Sequence, residues 1–170
     1  ALPPMLGVIG LIIAFIIFPL NVMGTIPVVI LLSTRKGIEM EWSSVTTGCL
    51  LIVIGILGVY HTVSLFTDYG DGTPAPFNPP RNFVALGLYR CVRNPMIIGV
   101  MLILLGQSIA FRSLPLFCWF LFFTAANLIY IPLIEEPHLK EKFGGIYKVY
   151  LDQTPRWIPR YASWKENEKI

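Results

Sequence analysis

The chain has 170 residues, of which 55% are hydrophobic and only 14% charged, with a mean hydropathy of +0.67. A soluble domain carries about 25% charged residues, so an ordinary water-soluble globule, a disordered chain and a disulfide-knit secreted scaffold are excluded. The formal net charge of +3, from 13 Lys and Arg against 10 Asp and Glu, is too mild and too scattered for a nucleic-acid surface.

In chain order, the first apolar stretch runs from Met5 to Leu32 without a charge. As one helix it would be about 42 Å long, more than a hydrocarbon core of about 30 Å. Pro19, Asn21, Gly24 and Pro27 interrupt it, so it reads either as one long kinked span or as a tight hairpin. It is too long, and lacks the basic start, for a signal peptide. Ser44–Phe66 is a second span, Pro95–Phe111 a short third, and Leu114–Ile134 a fourth with an aromatic centre. Only Arg112 and Ser113 separate the last two, which makes them an antiparallel hairpin. Cys49 and Cys118 fall within apolar runs and read, like Cys91, as small buried hydrophobes. No CxxC pair suggests zinc.

Charge orients the chain. Arg81, Arg90 and Arg93 in the long loop, with Lys140, Lys142, Lys148, Arg156, Arg160, Lys165 and Lys169 in the tail, make ten cations on one side. Arg35, Lys36 and Arg112 make three on the other. The long loop and the tail are therefore expected in the cytoplasm. Leu139, Phe143, Tyr147 and Tyr150 form an apolar stripe at helical spacing in the tail. The fold class is all-α: a polytopic transmembrane helix bundle of four to five spans with a C-terminal interfacial amphipathic helix. Residues 1–66 supply the N-terminal spans, and 67–170 form one integrated unit of loop, hairpin and tail helix.

The dense polar sequence falls in two blocks that the hairpin returns to one membrane face. The first holds a Gly- and Pro-rich run from Asp68 to Pro80, which reads as an extended lid or as a linker, and then Arg81 to Met96. Gly70 and Gly72 lack both the third glycine and the preceding strand of a dinucleotide fingerprint. Pro95 suits the first turn of a helix. Arg93 and Asn94 stand at its positive end, open to an anion or to lipid headgroups. The second block opens on Glu135 and Glu136. Two carboxylates at the membrane end of a span are costly unless they hold something positive: a cation, Arg93 or a cationic cofactor. His61 and His138 stand at no metal spacing and read as interfacial and solvated side chains.

Taken together, Arg93-Asn94-Pro95-Met96-Ile97, Glu135-Glu136-Pro137-His138-Leu139, Phe143-Gly144-x-x-Tyr147-x-x-Tyr150 and Pro155-Arg156-x-x-Pro159 resemble the superfamily of isoprenylcysteine carboxyl methyltransferases and phospholipid methyltransferases. Order and spacing agree over about residues 68–160. The resemblance implies an integral membrane enzyme that uses S-adenosylmethionine, with residues 67–170 as its cofactor-binding core and its partners a lipophilic methyl acceptor and membrane lipids. Carried over position by position, it implies cofactor contacts at Arg81, Asn82, Phe83, Val84, Tyr89, Asn94, Pro95, Met96, Ile97 and Glu135. It implies a catalytic pair in Arg93 and Glu136, and no metal. Ile97 stands where the family usually has Tyr. Ile131 stands where the prenylcysteine branch has the Arg that holds the substrate carboxylate. A lipid amine or hydroxyl is therefore expected as acceptor alongside a prenylcysteine carboxylate. A non-enzymatic subunit with the same fold and a relative of the sterol reductases are the competing readings.

Overall fold

The computed structural model of the protein describes residues 20–34, 41–69, 83 and 85–160. Most of the first apolar stretch, the proline-rich run and the expected cofactor contacts Arg81, Asn82 and Val84 lie outside the described residues. Among those described, all regular structure is helical. In chain order the helices are α1 (Ile26–Thr34), α2 (Trp42–Tyr69), α3 (Pro95–Ala110), α4 (Leu114–Tyr130), α5 (Glu136–Phe143) and α6 (Gly145–Gln153). A 3₁₀ turn at Gly87–Arg90 leads into α3. Two helical runs, Trp42–Leu65 and Leu114–Phe143, are long and apolar enough to cross a membrane. Asn21–Thr34 and Pro95–Ala110 are shorter and apolar.

Two π turns share one cause. Proline within a helix lacks an N–H and crowds the carbonyl four residues earlier, and a local widening relieves that crowding. Pro27 follows the π turn Asn21–Thr25, and Pro137 follows the π turn Ile131–Glu135, each two residues after the turn ends. In both, the residue between turn and proline bonds back five residues: Ile26 N–H to the Asn21 carbonyl and Glu136 N–H to the Ile131 carbonyl. At the first turn Pro27 has no donor to offer the carbonyls of Val22 or Met23. Trp119 Nε1 donates to Val22 at 3.1 Å and Gln107 Nε2 donates to Met23 at 2.6 Å. These bonds dock the start of α1 on the α3–α4 hairpin, where Val22, Val100 and Leu104 form a buried cluster.

The α2–α3 pair packs through glycines seven residues apart on each helix. A Cβ built on Gly48 would lie 2.5 Å from the Gly106 carbonyl oxygen, and one on Gly55 would lie 2.5 Å from the Gly99 carbonyl oxygen. The helices run antiparallel with their backbones nearly touching, as small residues permit in membranes. The hairpin turn is as short as expected: Arg112 takes φ 46°, and Ser113 caps α4 by accepting the Leu116 N–H. Arg112 also pairs with Glu41 at 3.0 Å, tying this end to the start of α2.

Two expectations are corrected. Cys49 and Cys118 are exposed rather than buried. Helices soaked in lipid are apolar all round, so an apolar run does not tell the core face from the outer one. The single tail helix is two, because Gly144 at φ 60° breaks it between α5 and α6. Its stripe is not spread on the surface: Tyr147 is 4% and Tyr150 3% exposed, packed with Ala85 and Phe83.

Candidate active site

The two polar blocks meet at the start of α3. Pro95 occupies the first turn of that helix, and Asn94 precedes it in a non-helical conformation. The Asn94 side chain does not cap its own helix. It reaches away, and Nδ2 donates to the Arg156 carbonyl at 3.2 Å. Two backbone bonds join the same segments: Arg93 N–H to the Pro155 carbonyl and Arg160 N–H to the Cys91 carbonyl, both at 2.9 Å. Residues 154–160 thus form a strap laid across the approach to α3.

Glu136 is the centre of the arrangement. Its side chain is 7% exposed. Arg93 Nη1 and Arg156 Nε both donate to its Oε1 at 2.8 Å, and Arg156 Nη2 donates to its Oε2 at 2.8 Å. Both carboxylate oxygens are therefore engaged, one of them twice, by charge-assisted bonds of the stronger class. Of the three partners that could have compensated the glutamates, the structure assigns Arg93 to Glu136. Arg156, absent from the expected site residues, is the second. Its signal was the Pro155-Arg156-x-x-Pro159 element, but nothing local in the sequence tells a returning strap from an ending.

Glu135 lies just beyond the apolar run that ends at Ile134, half-buried, while both guanidiniums are turned to its neighbour. Ile131, one turn earlier, is 1% exposed and offers no charge. Tyr89 is buried against Leu65 and Leu86, and its carbonyl accepts the Tyr150 hydroxyl at 2.7 Å. Burial raises the hydroxyl pKa of Tyr89 first, with Tyr150 and Glu135 adding to it. Burial raises that of Tyr147 as well, helped by Glu136 and Glu135. These phenols are neutral rings and hydrogen-bonding groups at physiological pH. Phe83 stacks edge-on to Tyr147 and Tyr150 and tilts against Phe143, with centroids 5.1 to 6.0 Å apart. The first block is thereby fastened at Phe83 to α5 and α6. Gly87 holds φ 54° with His61 and Leu65 directly against it, so the 3₁₀ turn that presents Tyr89 needs glycine there.

Of the expected site residues, the structure thus brings Arg93, Asn94 and Glu136 into one bonded cluster, with Pro95 and Glu135 next in the chain. Met96 and Ile97 form the half-buried first turn of α3 beside it. Phe83 sits in the aromatic cluster and Tyr89 against Tyr150 of α6. His138, as expected, is exposed.

A family model described as phospholipid methyltransferase matches residues 43–145. The phosphatidylethanolamine N-methyltransferase 1 of Vanderwaltozyma polyspora is 31% identical over an alignment covering 75% of this chain and 17% of that protein. The chain thus spans about a sixth of the length of the curated relative it matches. No solved structure matches it.

Proposed function

Because the chain belongs to the phospholipid methyltransferase family, we propose that it transfers a methyl group from S-adenosylmethionine to the amine of a membrane lipid. The observation that carries this reading is the unequal treatment of the two glutamates. Glu136 is bound by two guanidiniums, whereas neither guanidinium reaches Glu135, at the end of the π turn that follows α4. Such a carboxylate attracts a cationic group and repels an anionic one. One turn away, the position expected to hold a prenylcysteine carboxylate is the buried, uncharged Ile131. The relative's name agrees with an amine acceptor.

The residues fit the donor's chemistry. Glu135 complements its positive charges, Tyr89 and Phe83 supply aromatic rings, and at the start of α3, where Pro95 has no N–H, Asn94, Met96 and Ile97 offer N–H groups to a carboxylate. When bound, S-adenosylmethionine supplies an electrophilic methyl on sulfur. The chain's part is to orient the reactants and exclude water, effects worth about 7–11 kcal/mol when geometry is good. In this reading Arg93 and Glu136 hold the site's shape and Glu135 faces the reactants. In this reading the chain crosses the membrane several times with loop and tail in the cytoplasm, an orientation that its ten-to-three distribution of cations supports.

The test is methyl transfer. Purified protein in vesicles containing phosphatidylethanolamine and methyl-labelled S-adenosylmethionine should yield labelled N-methylated lipid, and a prenylcysteine peptide in the same vesicles should stay unlabelled. Label in the peptide but not in the lipid would overturn the acceptor assignment. Label in neither would overturn the reading.

A further inference from the structure

We propose that Arg156 is a positioning residue: it latches the 154–160 strap across the start of α3 and, through Glu136, sets the direction of Glu135. Its effect on turnover rests on the methyl-transfer reading, whereas the latch rests on the hydrogen bonds alone.

The argument starts from the backbone around the glutamates. Pro132 and Pro137 flank them, and neither has an N–H to give to the helix. The segment between is a π turn, with Glu136 N–H bonded to the Ile131 carbonyl. A π turn and an α turn place every later residue at a different rotation about the axis, and with two donors missing the backbone alone holds that choice weakly. A side-chain clamp must then decide it. Arg156 provides the clamp, because its planar fork engages both oxygens of a carboxylate that is 7% exposed. Arg93 touches only Oε1 through one nitrogen and leaves its own buried Nε without a hydrogen-bond partner. The residue next to the clamped one is Glu135, so its direction follows from the clamp.

The same side chain closes the strap. The Arg156 carbonyl accepts from Asn94 Nδ2 while its guanidinium grips α5. Two backbone bonds at Pro155 and Arg160 lie on either side. The Arg160 bond is made to the Cys91 carbonyl, and Cys91 itself is half-buried. Removing the fork should loosen strap and glutamates together, although Arg156 need not touch either reactant.

The test uses the full chain in phosphatidylethanolamine-containing vesicles, with Arg156→Ala, Arg156→Gln and Arg156→Lys. One readout is alkylation of Cys91 by a membrane-impermeant maleimide, resolved from Cys49 and Cys118 by peptide mass. The other is the separation of KM for the donor from kcat. Arg156→Ala and Arg156→Gln should alkylate Cys91 about tenfold faster, as a local opening freed of a charge-assisted bond would. They should also lose about 100-fold in kcat/KM, the scale of a small misplacement of a reacting group. The loss should fall mainly in KM for the donor. Arg156→Lys keeps the charge without the fork and should recover the alkylation rate in part but KM hardly at all. If Arg156→Ala does not fold, the lysine variant decides: wild-type KM and wild-type alkylation there would overturn the proposal. Faster alkylation with unchanged kinetics would overturn the positioning role. A wild type that transfers no methyl, beside a clear alkylation contrast, would refute the methyl-transfer reading and leave the latch standing.

Discussion

Glu136→Ala should lower the thermal unfolding midpoint in detergent by about 10 °C and remove donor binding. The carboxylate it deletes is 7% exposed and compensates two guanidiniums. The two are not equally stranded. Arg156 is 35% exposed and can turn to water, but Arg93 is 14% exposed and cannot. Breaking a buried ion pair by removing one partner costs about 3–5 kcal/mol, and the relief open to Arg156 places this case at the lower end. For a chain of this size each kcal/mol is worth roughly 2–4 °C, which gives the stated shift. Glu136→Gln keeps the shape and one acceptor oxygen, so its midpoint should fall between those of the alanine variant and the wild type. Tryptophan fluorescence during a thermal ramp reads both. A midpoint for Glu136→Ala within a degree or two of wild type would mean that the cluster does not hold the two blocks together.

Gly55→Ala is the second large effect, and its sign runs against intuition. In an exposed helix interior, replacing glycine by alanine stabilises by about 1 kcal/mol. At Gly55 the new Cβ would sit 2.5 Å from the Gly99 carbonyl oxygen and 2.7 Å from Ile103 Cγ1. The first of these is backbone on α3 and cannot swing aside, so the helices must part. Overpacking costs about 1–3 kcal/mol, which exceeds the propensity gain, and separation of the pair also opens the contacts of Gly48 with Gly106 one heptad away. Gly58, on the same helix, has open space where its Cβ would go. Gly58→Ala should therefore match or exceed wild-type stability while Gly55→Ala falls below it. Equal stabilisation by both substitutions would show that α2 and α3 do not meet at these glycines.

Much of this architecture was legible in local pattern. Charge-free runs marked the second, third and fourth helices. The two residues between Phe111 and Leu114 forced a hairpin, and Pro95 marked the start of α3. The cost of leaving Glu135 and Glu136 uncompensated correctly required a positive partner, and Arg93 was among those weighed. What stayed hidden depends on contacts between distant segments. The return of the strap, which makes Arg156 a partner of Glu136 across 20 residues, follows from bonds at Cys91, Arg93 and Asn94 that no local spacing encodes. The burial of Tyr147 and Tyr150 under Phe83 was hidden for the same reason, because an amphipathic stripe reads alike whether it faces lipid or protein. The prolines were visible, but their consequence, two π turns, the first with carbonyls that take donors from the hairpin, needs the third dimension. The seven-residue recurrence of Gly48 and Gly55, matched by Gly99 and Gly106, was a usable signal for the α2–α3 seam.

The central claim is that the two polar blocks build one site for a methyl donor, with Glu135 facing it. Calorimetric titration of the demethylated donor into the wild-type protein and into Glu135→Gln tests it most directly. A micromolar dissociation constant for wild type, weakened at least about tenfold in the variant, is the predicted result. Binding that is absent at millimolar ligand, or equally tight in both proteins, would contradict it.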